Sequence, residues 1–266
     1  MSESLIATAR ASSVGEFFDC AHRWESKYIL GKFLPSSGAA HLGTSLHAGT
    51  AAFDSAVLAG APITADDAAG VLIDTLHHPK EEVDWADDSP SKVEGVALRL
   101  HTKYCLEIAP RREYSGVEVK YEALDLTVPD VGTIRLTGTT DRVRKTTKGH
   151  GISDLKSGKT AVSADGTVKI AGHALQMGVY ELLAEHAMGV VITDPAEVVG
   201  LCTVKEARVG TGSVDRPRDV LIGTDEEPGA LETMGRMLKA GLFPGNAKSM
   251  LCSAKFCPVY PCRWVR

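Results

Sequence analysis

The sequence predicts an α/β fold in which a central mixed sheet is flanked by helices. Apolar residues recur at helical spacing up to residue 109, strand-like alternation follows from residue 117 to 155, and the chain then returns to helix, strand and helix. With 44% hydrophobic residues the chain can bury a sizeable core, and no linker rich in Pro, Gly or Ser divides it. We therefore expect a single domain over residues 1–266 with its core at about 40–245.

The N-terminal part carries four helical patterns, at residues 13–30, 43–58, 66–77 and 91–109. The first begins at Ser12 or Ser13, since serine is a preferred N-cap residue. A turn at Pro35 separates it from the second helix, and an acidic loop separates the last two.

The strand-rich part follows, with predicted strands at residues 117–128, 132–139, 141–145 and 152–155. The turn Gly149-His-Gly separates the last two of these strands. The rest of the chain predicts a helix at 173–188, a strand at 198–204 and a helix at 226–240. Pro244 then breaks the helical pattern and leads into a C-terminal tail.

The charge distribution is uneven. The net charge of −5 gives no overall attraction to nucleic acid, but residues 141–169 hold seven Lys and Arg against three Asp. No apolar run approaches the ~18–20 residues that a membrane-spanning helix needs, and the first ten residues are too few and too polar for a secretory signal. We therefore expect an intracellular protein without a membrane partner, whose six cysteines are thiols or metal ligands rather than disulfides.

Two aspartates and a lysine form the first candidate site. Asp141 and Asp154 lie on predicted strands joined by a short turn, which would bring them to the same end of a sheet, and alternation puts Lys156 on the face of Asp154. Two carboxylates at one place repel each other unless a cation neutralises them, and oxygen ligands suit Mg²⁺ or Mn²⁺. The spacing therefore predicts a metal site that hydrolyses a phosphodiester, and the alternative is a structural ion-pair cluster between strands.

Gln176 and Tyr180 lie four residues apart on the next helix and hence on one face. Gln can contact a phosphate or sugar, and Tyr can stack on a base. His47, four residues after Gly43, is a competent Mn²⁺ ligand. Each of these would be ordinary by itself, as helix surface or as a structural histidine.

Four cysteines form the second candidate site. Cys252, Cys257 and Cys262 lie within eleven residues, and Cys20 is the natural fourth ligand. Thiolates select zinc or iron–sulfur clusters. Cys105 and Cys202 lie in a predicted helix and an apolar strand and are expected to be core residues.

This set of residues resembles the RecB-like branch of the PD-(D/E)XK nuclease superfamily, in particular its iron–sulfur nucleases of the AddB and CRISPR-adaptation type. The pattern of that branch is a helical Gly-x3-His, an upstream Glu, an Asp, an acid-x-Lys and a Gln-x3-Tyr. The matching residues are Gly43-x3-His47, Glu118, Asp141, Asp154-Leu155-Lys156 and Gln176-x3-Tyr180. The resemblance covers roughly residues 20–262. Thr140 replaces the Pro of the superfamily name, and Glu122 competes with Glu118 because the spacing of four keeps the strand face.

The resemblance implies a restriction-endonuclease-like core. It implies that His47, Asp141, Asp154 and the Leu155 carbonyl bind Mg²⁺ or Mn²⁺, and that Lys156 acts in catalysis together with Asp141, Asp154 and Glu118. A [4Fe–4S] cluster on Cys20, Cys252, Cys257 and Cys262 would join about residues 13–30 to residues 246–266, with zinc as the alternative.

The expected function is that of a metal-dependent DNA nuclease. By analogy with the branch, it would be an exonuclease that acts on single-stranded ends. Gln176, Tyr180, Arg142 and Lys159 would contact DNA, with little base specificity. A helicase or recombinase partner would supply any unwinding, and a chain of this size also fits a phage-encoded enzyme. The alternative is a DNA-end-binding or recombination-partner protein of the same fold in which cleavage is weak.

Overall fold

Two β-sheets organise the fold in the computed structural model, which describes residues 4–86 and 88–265. The strands of these residues are β1 Leu5–Arg10, β2 Ser36–Ser37, β3 Val83–Asp84, β4 Glu113–Lys120, β5 Leu124–Val128, β6 Gly132–Thr137, β7 Thr139–Lys145, β8 His150–Gly158, β9 Ala196–Cys202 and β10 Arg208–Val214. The α-helices are α1 Ala11–Asp19, α2 Ala21–Tyr28, α3 Gly38–Leu58, α4 Ala65–His77, α5 Pro90–Lys103, α6 Ala174–Met188, α7 Pro217–Ile222 and α8 Ala230–Lys239. A π-helical turn, Tyr104–Ile108, and a 3-10 turn, Ala109–Arg111, follow α5.

The main sheet has five strands in the order β10-β9-β8-β7-β4. The pair β8–β9 is parallel and the other pairs are antiparallel, so the sheet is mixed. A smaller sheet has the order β1-β6-β5, and β2 pairs with β3 separately. The prediction of an α/β fold with a mixed sheet flanked by helices is confirmed.

Helices cover both faces of the main sheet. On one face Ile152 and Val198 belong to a core that includes Phe17 of α1 and Leu183 of α6. On the other face the neighbouring Leu155 packs in a second core with helices α3, α4 and α5. The alternation of buried residues along β8 explains both contacts, because successive side chains of a strand point to opposite faces. Cys105 and Cys202 are buried, as predicted.

The predicted helix at residues 13–30 is wrong in one respect, because it is interrupted at Cys20. That residue is extended, with φ −158° and ψ 98°, and separates α1 from α2. Its sulfur accepts a hydrogen bond from the Asn246 backbone amide at 3.4 Å. The interruption turns Cys20 toward the C-terminal tail, a contact 226 residues away in sequence that helical periodicity could not reveal.

The predicted strand at residues 117–128 is also divided. It forms β4 in the main sheet and β5 in the smaller sheet, with a corner at Tyr121, whose amide donates to Gly138 O at 3.2 Å.

Strands β1, β2, β3 and β10 and helix α7 were not predicted. In β10, Gly210 and Gly212 weakened the strand pattern. A side chain at Gly212 would lie 2.6 Å from Ile170, so the close approach of that loop requires glycine here.

No helix of the described residues is long and apolar enough to cross a membrane. The remaining predicted helices and strands are present with shifted ends. Helix α3, for example, begins earlier than predicted, at Gly38, because Ser37 caps it by accepting a hydrogen bond from the Ala40 amide.

A buried carboxyl on α6 gives a first testable prediction. The Glu181 side chain is 7% exposed and lies 3.8 Å from Arg218. Burial raises the pKa of Glu181 to about 7, with Glu185 and Asp219 adding to the effect and Arg218 opposing it. The pKa of Glu181 is higher in the folded protein than in the unfolded chain, so its protonated carboxyl contributes fully to the free energy of unfolding below pH ~4.5. This contribution of roughly 3 kcal/mol is lost as the pH rises through about 7.

The variant Glu181→Gln removes this titration. We expect its free energy of unfolding, relative to the unmodified protein, to increase by roughly 3 kcal/mol between pH 5 and pH 8 in urea denaturation. Parallel pH profiles of the two proteins would contradict the prediction.

Candidate active site

Three potential metal ligands meet at the end of the β4–β7 ladder. His47 on α3, Glu118 on β4 and Asp141 on β7 each offer a ligand atom, and these atoms all lie within 4.8 Å of one another. His47 Nδ1 is 3.3 Å from Asp141 Oδ1. The strand register places Val117 opposite Arg142 and Val119 opposite Thr140, so Glu118 and Asp141 face each other between these pairs. Glu118, rather than Glu122, is therefore the acid beside Asp141.

The backbone of Glu118 is unusual. Its φ of +48° lies in the left-handed region, which residues with a side chain seldom adopt. Its carboxylate accepts a hydrogen bond from Arg142 Nη1 at 3.3 Å. Strained backbone of this kind clusters at functional sites, and here it directs a carboxylate toward Asp141.

Strand β8 supplies the second half of the site. Arg142 pairs with Ser153 in the β7–β8 hairpin, which brings Asp154 beside Asp141 as predicted. The Leu155 amide donates to Asp141 Oδ2 at 2.7 Å, and the Leu155 carbonyl lies 3.1 Å from His47 Nε2. This carbonyl therefore faces the same space as the three side-chain ligands.

Asp154 and Lys156 form a close pair on one face of β8. The Lys156 Nζ lies 2.5 Å from Asp154 Oδ2, while Asp154 is 1% exposed and Lys156 is 29% exposed. Asp154 Oδ2 accepts no well-aligned hydrogen bond, so the ammonium is its single close partner among the described residues. A buried carboxylate oxygen that accepts no well-aligned hydrogen bond is stabilised by a neighbouring cation.

Helix α6 contributes the predicted Gln and Tyr. Gln176 Nε2 donates to Asp154 Oδ1 at 3.2 Å and to the Tyr180 hydroxyl at 2.9 Å. The spacing of four residues on α6 thus connects Asp154 with Tyr180 through one amide.

The electrostatics of the site favour a bound cation. Burial and then repulsion from Asp141 raise the pKa of Asp154 to about 6, although Lys156 lowers it. Burial alone would raise the pKa of Asp141 as well, but His47 and Lys156 hold that pKa below its usual range. Burial and then Asp141 also raise the pKa of Glu118. Three crowded carboxyls with an imidazole and a carbonyl form a donor set that suits Mg²⁺ or Mn²⁺.

The structure does not support the predicted DNA contact of Arg142. This side chain is fully buried, and its Nε donates to Asp54 Oδ2 at 2.6 Å. Its Nη2 donates to Thr50 and its Nη1 donates to the Asp141 carbonyl. Arg142 therefore stabilises the site through buried contacts. Lys159, which was also predicted to contact DNA, is exposed in the turn after β8.

Asp54 is a site-supporting residue that the sequence interpretation missed. It is 2% exposed and accepts a second hydrogen bond from the Tyr104 hydroxyl at 2.6 Å. The signal was present, because His47, Thr50 and Asp54 recur at intervals of three and four on α3. Polar residues at this spacing indicate a helix face that contacts a buried charged group.

The four predicted cysteine ligands lie together in a separate cavity. All four line it, and all four are free thiols. The tail is fixed to the N-terminal helices by hydrogen bonds from Asn246 Nδ2 to Asp19 O at 3.0 Å and from Ser249 Oγ to Asp19 Oδ2 at 2.7 Å. Burial and the neighbouring cysteines raise the pKa of the Cys252 thiol. Four soft ligands converging on one cavity are the donor set of zinc and of iron–sulfur clusters.

The sequence pattern that defines the PD-(D/E)XK nuclease superfamily matches residues 10–262. The chain belongs to this superfamily. PD-(D/E)XK nucleases hydrolyse phosphodiesters with divalent metal ions, and here His47, Glu118 and Asp141 form a group of side chains that could hold such an ion. The prediction of the superfamily and of its restriction-endonuclease-like fold is confirmed.

Two solved structures were found to be similar to this chain. A candidate exonuclease from Eubacterium rectale is 15% identical, with a TM-score of 0.50 over 91% of this chain and 86% of the other. The protein SSO0001 is 13% identical, with a TM-score of 0.44 over 97% of this chain and 87% of the other. No curated protein matches the chain.

Proposed function

We propose that this PD-(D/E)XK nuclease is a DNA exonuclease that acts on single-stranded ends. The observation that carries the proposal is the convergence of His47, Glu118 and Asp141 beside the Asp154–Lys156 pair. The name of the E. rectale structure, a candidate exonuclease, agrees with it. We further propose that residues 1–266 act as one domain, within the RecB-like iron–sulfur branch and inside the cell, where six cysteines that form no disulfide fit a reducing compartment.

In this proposal His47, Asp141, Asp154 and the Leu155 carbonyl would hold Mg²⁺ or Mn²⁺, with Glu118 close enough to join them. The bound ion supplies Lewis-acid polarisation of a phosphoryl oxygen and a water of lowered pKa. Lys156 projects from the same strand face as Asp154, where its ammonium stabilises negative charge on the phosphate or exchanges a proton with the attacking water. Gln176 orients Asp154 through its side-chain amide.

End-labelled DNA tests this function. Anaerobically purified protein is incubated with single-stranded and duplex oligonucleotides, each labelled at one end, in Mn²⁺, Mg²⁺ or EDTA. We expect degradation that requires the metal, proceeds faster on single strands and gives a ladder that reveals the starting end. If protein with its cluster intact binds DNA but cleaves none of these substrates, it is instead an end-binding protein or one that needs a helicase or recombinase partner.

We also propose that Cys20, Cys252, Cys257 and Cys262 hold a [4Fe–4S] cluster. The cavity that they line joins α1 and α2 to residues 246–265, and the cluster would supply a covalent link between these segments. In this role it is structural, because the four cysteines are separate from the carboxylate site.

Replacing Cys252 with serine should remove the cluster. We expect anaerobically purified protein to be brown with about four iron and four sulfide per chain, and Cys252→Ser to lose most of both. The tail should then become accessible to protease, because its link to α1 is lost. Cys105→Ala, which removes a buried thiol outside the cavity, is the matched control. One zinc per chain without sulfide would replace the iron–sulfur proposal with a zinc site.

A further inference from the structure

A groove lies where the two sheets meet. Two exposed cations line it, Arg10 at the end of β1 and Lys120 at the end of β4. Thr8, Ser12, Thr137 and Thr139 add hydroxyl groups to the lining. Neither cation forms an ion pair with another residue in the described part of the chain. Unpaired cations among hydroxyls form a surface suited to phosphate groups.

The groove continues from the catalytic site. Lys120 pairs with Thr139 in the β4–β7 register, two residues along each strand from Glu118 and Asp141. Two residues of a strand span ~7 Å, so the lining begins next to the proposed metal ligands. Tyr180 also lines the groove, and Gln176 connects its hydroxyl to Asp154.

The packing of the surrounding elements keeps the groove open. Arg10 lies opposite Thr137 in the parallel β1–β6 pair of the smaller sheet, whereas Lys120 belongs to the main sheet. Gly138 lies between the two sheets, where an added Cβ would be 3.0 Å from the Tyr180 ring and 3.3 Å from Ala11. A larger residue there would push α1 and α6 out of position beside the groove.

We propose that this groove binds the phosphodiester backbone of the nucleic-acid strand that extends away from the catalytic site, with Arg10 and Lys120 as its phosphate ligands. The inference rests on the proposed nuclease function, because it names where that substrate lies. Phosphate contacts carry no base information, so the groove holds the strand in register without selecting sequence. Tyr180, 6% exposed, lines the groove and is connected through Gln176 to Asp154.

Salt dependence of binding tests the groove independently of cleavage. The affinity of the protein for a short, labelled single-stranded oligonucleotide is measured in EDTA across a range of NaCl concentrations. Each phosphate contact on a single strand contributes ~0.7 to the slope of log K against log salt. We expect Arg10→Gln and Lys120→Gln each to lower the slope by about 0.7, the double variant to lower it by about 1.4, and Arg10→Lys to keep it.

Lys205→Gln is the matched control, because this exposed lysine lies between β9 and β10 at the opposite edge of the main sheet. It should bind with the slope of the unmodified protein. Under cleavage conditions Arg10→Gln and Lys120→Gln should raise KM and leave kcat nearly unchanged. The groove proposal would be overturned if the folded variants Arg10→Gln and Lys120→Gln kept the slope of the unmodified protein. It would also be overturned if Lys205→Gln lowered the slope by an equal amount. Absence of cleavage by the unmodified protein bears on the nuclease proposal alone, since binding is measured without metal.

Discussion

Lys156→Ala should abolish DNA cleavage while the protein remains folded. Loss of a positioned cation from the transition state typically lowers kcat by ~10²–10³-fold, and loss of a proton-transfer role would add to this. The fold should remain because Lys156 is partly exposed and its described ion pair is with Asp154 alone. Asp154 has a pKa already raised to about 6 and can take up a proton when the ammonium is removed.

The measurement compares initial cleavage rates in saturating Mn²⁺ with thermal unfolding and the iron content of the same preparations. Lys205→Ala controls for the loss of one surface lysine, since this residue lies at the opposite edge of the sheet. Asp154→Asn should be as inactive as Lys156→Ala, because it replaces the carboxylate that Lys156 faces. Wild-type rates in folded Lys156→Ala would exclude the proposed role of the lysine.

The β7–β8 hairpin of the candidate site could be predicted because it is local in sequence. Asp141 and Asp154 are separated by a single turn, and strand alternation alone puts Lys156 on the side of Asp154. By contrast, His47 and Gln176 reach the site from helices. Their position in the site could be predicted only from the resemblance to a family. Their contacts with Leu155 and Asp154 depend on how α3 and α6 pack on the sheet.

Other features depend on pairings that no local pattern specifies. Strand β1 pairs with β6 over more than a hundred residues of chain, so its short alternating sequence carried no indication of a partner. Arg142 was assigned to DNA because it lies in a basic segment, yet strand alternation turns it toward α3 and away from the Asp141 side. Charge in a sequence window therefore did not distinguish a surface cation from a buried one.

Arg142→Met should be the most destabilising of the substitutions considered for this protein. The guanidinium is fully buried and donates to Asp54, Thr50, Glu118 and the Asp141 carbonyl. Removing one member of a buried ion pair leaves the other without compensation and costs ~3–5 kcal/mol. Since domains of this kind are stabilised by only ~5–15 kcal/mol in total, urea denaturation should show a large decrease in the midpoint.

The double variant Arg142→Met/Asp54→Leu distinguishes a lost charge pair from lost packing. If the cost arises from an uncompensated Asp54 carboxylate, replacing both partners with apolar residues should recover much of the stability. The double variant should still have weakened metal binding, because Glu118 loses the donor that holds its strained conformation beside Asp141. Isothermal titration with Mn²⁺ measures this loss separately from unfolding. A double variant no more stable than Arg142→Met would mean that the guanidinium acts mainly through packing and its bonds to Thr50 and the Asp141 carbonyl.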